Sequence, residues 1–252
     1  MTFDEAAAVE RILLDYGDSE MTFEAYVAMP AGTDRPRPCV LLGHAWDGRG
    51  DDICKIADRI AALGFVAFAL DLYGKGVRGE PLGDNSHLMA PLMADRALLR
   101  RRLLLGHATA AAHPSIDAAK IVVMGYCFGG LCALDLARAA PANLRAAISI
   151  HGGLQPPDLG TQGPIDASIL MLHGWEDPTA PPADILSIAH ELTDAGADWQ
   201  LHAYGHAMHA FTFEAADMPE RGIVYDETAA RRAWNTVCDF LAENLGPAMP
   251  AS

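Results

Sequence analysis

Positive charge is scarce in this chain of 252 residues: 18 Lys and Arg stand against 33 Asp and Glu, a formal net charge of −15 at pH 7. Holding nucleic-acid phosphates takes clustered cations, and the densest runs here are Arg100-Arg101-Arg102 and Arg231-Arg232, so no nucleic-acid partner is expected. Anionic membrane surfaces repel such a chain as well. Long apolar runs are missing too, each being broken well short of the roughly 18–20 residues a membrane span requires. The opening MTFDEAAAVE is acidic where a secretory leader is basic, which makes a cytoplasmic location the expectation. Cysteine is sparse and unpatterned: Cys39, Cys54, Cys127, Cys132 and Cys238 are odd in number and contain no C-x-x-C pair, arguing against a disulfide framework or a zinc ribbon. With 20% charged residues, 23 Gly and 16 Pro, the composition also excludes the disordered, collagen-like and coiled-coil classes.

What is present is alternation. Short apolar runs at 23–29, 39–42, 65–70, 121–124, 146–150, 169–172 and 199–203 read as strands. Several, such as FVAFAL, IVVM and ILML, are continuously apolar, as expected of strands covered on both faces. Between them, helical stretches are predicted over 51–63, 87–112, 129–139, 183–195 and 228–245, closed by Gly64, Pro141, Gly196 and Gly246-Pro247. The first segment reads as an antiparallel strand pair at one sheet edge, split near Gly17-Asp18. The pattern implies an α/β fold with a mostly parallel central sheet and helices on both faces. No repeat or linker appears, so 1–252 is read as one domain, with a tail over 246–252 that is expected to fray.

The chemistry concentrates at strand ends. After the apolar run Ile121-Val122-Val123-Met124 comes Gly125-Tyr126-Cys127-Phe128-Gly129 and a helix of small residues, a nucleophile elbow with sulfur in place of the usual hydroxyl. Flanking glycines suit the sharp turn, which leaves no room for Cβ atoms, and the helix N-terminus behind it favours a thiolate. Two later strand ends carry His173-Gly174-Trp175-Glu176-Asp177-Pro178 and Tyr204-Gly205-His206-Ala207-Met208-His209. The chain order nucleophile, acid, His is that of α/β-hydrolases. Asp177 also suits a simple loop cap, and His206 and His209 compete for the base. His202, His206 and His209 together resemble a metal triplet, but no helix aligns them and no Glu falls between, so no metal and no cofactor are expected.

These motifs, together with Gly43-His44-Ala45-Trp46 and Leu70-Asp71-Leu72-Tyr73-Gly74, resemble the dienelactone hydrolase family, the cysteine branch of the α/β-hydrolases, along nearly the whole chain. The resemblance implies hydrolysis of a small ester or lactone through an acyl-thioester on Cys127, with Asp177 and His209 completing the triad. It implies an oxyanion hole formed by the backbone N–H groups of Phe128 and Trp46. Lys75 and Arg78 stand in the region where family members carry a substrate-binding arginine, and Tyr73, Trp175 and Phe211 read as apolar walls of the substrate site or as core packing. Two departures stand out. Family members carry a glutamate where this chain has Ala45; Asp47 lies two residues on, though in what reads as a surface turn. Their pair of substrate-binding arginines is not reproduced either, since 210–214 reads AFTFE after His209. A neutral substrate, taken up by a monomer or small homo-oligomer, is the expectation. The alternatives are a non-hydrolytic binding protein or thiol sensor on the same fold, and an acyltransferase.

Overall fold

The protein is described here by a computed structural model covering residues 8–32 and 34–247. Most of the opening decapeptide read above, and the tail beyond residue 247 that was expected to fray, lie outside the described residues. Eight strands form one sheet in the order β1-β2-β4-β3-β5-β6-β7-β8. At one edge β1 (Val9–Gly17) pairs antiparallel with β2 (Thr22–Pro30), the expected hairpin, and β2 runs antiparallel to β4 (Val66–Ala69). All remaining neighbours are parallel: β3 (Arg37–Gly43), β5 (Ile116–Tyr126), β6 (Leu144–Ile150), β7 (Ser168–Gly174) and β8 (Trp199–Tyr204).

Side-chain alternation along the strands splits the interior into two cores. Val40, Leu42, Val122, Met124 and Ile148 pack under α1 (Asp51–Ala62) and α6 (Glu227–Leu245). Cys39, Leu41, Ile121, Val123 and Ala147 point the other way. They meet α2 (Ser86–Ala94), α3 (Arg96–Ala111), α4 (Phe128–Arg138) and α5 (Pro182–Asp194). This is the mostly parallel sheet with helices on both faces expected of the alternating apolar runs and helical stretches, and no described helix is long and apolar enough to cross a membrane.

Two expectations need correction. The single helix over 87–112 is two helices, because Asp95 leaves helical geometry (φ −122°, ψ 81°) and its carboxylate accepts the Leu98 N–H at 2.8 Å as the cap of α3. Strand β5 starts at Ile116, five residues before the apolar run, with an irregular register between Arg37 and Cys39 of its partner. Its early residues are partly exposed and carry no apolar signature.

The sheet order reverses between β3 and β5, so the loops leaving these two strands diverge and open a crevice at their carboxyl ends. Behind the crevice a buried charge network ties three helices together. Arg96 clamps Asp135 with two hydrogen bonds (2.8 and 2.7 Å), Arg138 reaches the same carboxylate at 3.1 Å, and Arg138 Nε donates to Glu191 at 2.7 Å. Arg138 Nη2 also donates to the Leu154 carbonyl, so the segment after β6 is held by the same cations. Removing the shared carboxylate would leave the buried Arg96 without an anion and Arg138 with Glu191 alone. Asp135→Asn is expected to lower the unfolding free energy by about 3 kcal/mol in urea titration, and a loss under about 1 kcal/mol would show that the network is dispensable.

Candidate active site

The elbow is built from backbone contacts that only glycine permits. A Cβ on Gly125 would overlap the carbonyl of Gly129, and one on Gly129 would overlap that of Gly43. Strands β3 and β5 therefore meet the first turn of α4 main chain to main chain. Cys127, at the junction, is driven to φ 54°, ψ −115°, a conformation L-residues rarely adopt. Its N–H donates to the Ile150 carbonyl of β6, which extends the ladder to the nucleophile position.

His209 Nε2 lies 3.1 Å from Cys127 Sγ, and its Nδ1–H donates to Asp177 Oδ2 at 2.8 Å. The two oxygens of Asp177 divide their work. Oδ1 accepts the Thr179 N–H (2.8 Å) and hydroxyl (2.6 Å), the loop-capping role read from Asp-Pro-Thr, while Oδ2 holds the imidazole. Asp177 thus caps its own loop and contacts His209 at once. Thr179 Oγ1 also lies 3.1 Å from His209 Nδ1. His209 is fixed by its main chain as well: its N–H donates to the Gly222 carbonyl and its own carbonyl accepts from Val224, at a small hairpin of β9 (Asp217–Met218) and β10 (Ile223–Val224).

The electrostatics follow from this burial. Desolvation alone would lower the basicity of His209. The charge of Cys127 and the hydrogen bond to Asp177 outweigh it and raise the imidazole to about 10. Burial acts to raise the Asp177 carboxyl, but the His209 and Thr179 hydrogen bonds prevail and hold it below its ordinary value. His206, the competing base, is exposed and faces Glu176 at 3.0 Å, and His202 bonds to Gln200 on β8. Among the described residues no His, Cys, Asp and Glu side chains group as metal ligands.

The other residues singled out fall in different places. Neither the Trp46 nor the Phe128 N–H donates to a protein group among the described residues. Tyr73 stacks on Phe128 (6.0 Å, 16°) and packs against His44, and its hydroxyl donates to the Trp46 carbonyl at 2.9 Å, so it props the Trp46 loop. His44 is itself locked, bonded to the Ala45 carbonyl and the Leu72 N–H, and burial lowers its basicity. Trp175 stands exposed at the end of β7. Phe211 does not line a substrate space: it is fully buried under His151 and Tyr204. The basic spot at Lys75 and Arg78 is not free either. Lys75 meets Asp15 at 2.5 Å, both approach Glu24 at 3.8 Å, and Arg49 is ion-paired to the same Glu24. Asp47 bonds to Gly79 through its carbonyl, and burial raises its carboxyl; no hydrogen bond joins it to Cys127. Sequence reasoning passed over Thr179 and His151, whose one visible signal was a polar side chain just past a strand end.

A cysteine at a strand-to-helix elbow, bonded to a histidine and acid from later strand ends of a sheet in this order, defines an α/β-hydrolase. The sequence model of the dienelactone hydrolase family matches residues 23–245. A dienelactone hydrolase-like promiscuous phosphotriesterase from metagenomic libraries is 33% identical and superposes with a TM-score of 0.89 over 95% of this chain and 100% of that one. The Escherichia coli K12 protein named "Putative carboxymethylenebutenolidase" is 29% identical over 233 residues, 88% of this chain and 83% of that protein. "Protein usf" of Aquifex pyrophilus is 26% identical over 245 residues, 92% and 98% of the two chains. The chain belongs to the dienelactone hydrolase family, and it is a hydrolase of the ester or lactone type.

Asp177 is one of the causes that raise His209, so its removal must move that titration downward. Asp177→Asn is expected to lower the pH at which the His209 ring titrates, followed by NMR, by about 1–3 units. An unmoved midpoint would show that the carboxylate does not act on this ring.

Proposed function

We propose that the protein hydrolyses a small uncharged ester or lactone through a thioester on Cys127. The observation that carries this reading is the unbroken hydrogen-bonded series Cys127 Sγ, His209, Asp177, with 3.1 and 2.8 Å between partners. Cys127 Sγ passes its proton to His209 Nε2 and attacks the acyl carbon as the carbonyl π-bond opens onto its oxygen, and the oxyanion accepts from the Trp46 and Phe128 N–H groups. Collapse breaks the bond to the leaving alkoxide, which takes the proton from His209 Nε2. Water then gives one of its own protons to His209 Nε2 as its oxygen attacks the thioester carbon, and sulfur departs with that proton, releasing the carboxylic acid. Asp177 holds the ring with Nδ1 protonated throughout.

The pairing of Lys75 and Arg78 with Asp15 and Glu24 supports the neutral substrate. Cations already balanced by carboxylates attract an anion weakly, and a net charge of −15 adds repulsion at long range. On p-nitrophenyl acetate, Cys127→Ala is expected to lose at least about 10³-fold in kcat/KM. Equal release by the variant and the natural protein would overturn the nucleophile assignment. In a panel of lactones matched in ring size, those without a carboxylate are expected to give the higher kcat/KM; a preference for the carboxylated members would refute the neutral-substrate assignment alone.

A further inference from the structure

Just past the carboxyl end of β6, and unused by the triad, lies a buried histidine in an unusual backbone conformation. His151 has φ 39°, in the left-handed region that favours glycine, and is 3% exposed. Its N–H donates to the Leu172 carbonyl at 2.8 Å. Gly152, which follows it, packs on Gly130 of α4 so closely that a Cβ on either would meet the other's backbone at 2.7–2.8 Å. The main chain here is clamped between β7 and the helix that begins at the nucleophile.

The side chain is bonded through both nitrogens. Nδ1 accepts the Cys127 N–H at 3.2 Å, a donor shared with the Ile150 carbonyl, and Nε2–H donates to Thr212 Oγ1 at 2.8 Å. Thr212 stands three residues beyond His209, so one imidazole joins the two loops that carry the reacting pair. Its ring meets the His209 ring edge-on, centroids 5.3 Å apart at 69°, and on the other side it rests against the buried Phe211, also at 5.3 Å. We propose that His151 is a positioning residue for the Cys127–His209 pair, a neutral strut that sets the nucleophile's backbone and the tilt of the catalytic ring together.

Acceptance at Nδ1 with donation from Nε2 requires the neutral ring, and the surroundings keep it so. Burial, with the charge of His209 and of His173 beyond it, lowers its basicity to about 3 against the opposing pull of Asp177. A histidine that merely fills the core would affect stability and leave the reactivity of the sulfur alone. The strut makes a different demand, because a small displacement of a reacting pair costs far more in rate than in binding.

The inference rests on Cys127 as the nucleophile, and its test uses a readout that needs no turnover. His151→Phe keeps a ring in place without either hydrogen bond. It is expected to lower kcat about 10- to 100-fold with KM within about 2-fold, and to slow alkylation of Cys127 by iodoacetamide in parallel. His151→Asn, whose amide oxygen stands near the position of Nδ1, is expected to recover part of both rates. Natural kcat and alkylation rates in His151→Phe would overturn the proposal, as would equal losses in Phe and Asn. Should the Phe variant fail to fold, His151→Asn is compared with His151→Gln, which keeps only the Thr212 side; faster alkylation of the Asn variant supports the strut and the reverse overturns it. Turnover by Cys127→Ala would instead strike the nucleophile assignment.

Discussion

The close approach of Gly43, Gly125 and Gly129 is the contact on which the rest of the site depends. Strands β3 and β5 and the first turn of α4 touch through their main chains, so the residue between strand and helix has nowhere to go except a left-handed conformation. That constraint lifts Cys127 off the end of its strand and leaves the Phe128 N–H at the open start of a helix, where it is unsatisfied from within. It also sets the Trp46 loop beside the nucleophile, since Gly43 ends the strand that leads into it. Strain of this kind persists only where packing over-determines it, and the cores on both faces of the sheet supply that packing.

Around this point, charges are arranged so that nearly every one is committed. Asp177 splits its oxygens between a turn and an imidazole. Glu24 gathers Arg49, Lys75 and Arg78, and Asp135 gathers Arg96 and Arg138. The protein's acidity is therefore not spread evenly: several carboxylates stand beside the few cations and cancel them. A basic loop that along the chain stands where a substrate would be held becomes, in three dimensions, part of the join between the β1–β2 edge and the loop after β4.

Much of the architecture was legible because strand segments buried on both faces are continuously apolar, as β4 is throughout and as β3, β6 and β7 are over 39–42, 146–148 and 169–172. Where burial is partial, legibility fails: the first half of β5 runs from the buried Ile116 to the exposed Ala119 and Lys120 and reads as loop. The break at Asp95 was hidden for another reason. A carboxylate at that point of a polar-apolar mixture looks like one more solvated helical residue until its side chain is seen to cap the next helix. Phe211 looked like a pocket wall because an aromatic residue after a catalytic histidine serves equally well as a wall or as a buttress, and its complete burial makes it the buttress.

The sequence by itself carried the fold class and the strand–glycine–cysteine–glycine–helix elbow, each a local pattern whose physics acts between near neighbours, while the chain order of Cys127, Asp177 and His209 and the presence of Ala45 gain meaning only through family resemblance. Tertiary structure alone decided which histidine meets the sulfur, that Thr179 supports the acid, that Lys75 and Arg78 are already paired, and that His151 spans the loops of Cys127 and His209. Apart from Thr179, two residues beyond Asp177, those are contacts between segments 24 to 82 residues apart. No spacing along the chain encodes them, because they exist only once the strands have stacked side by side.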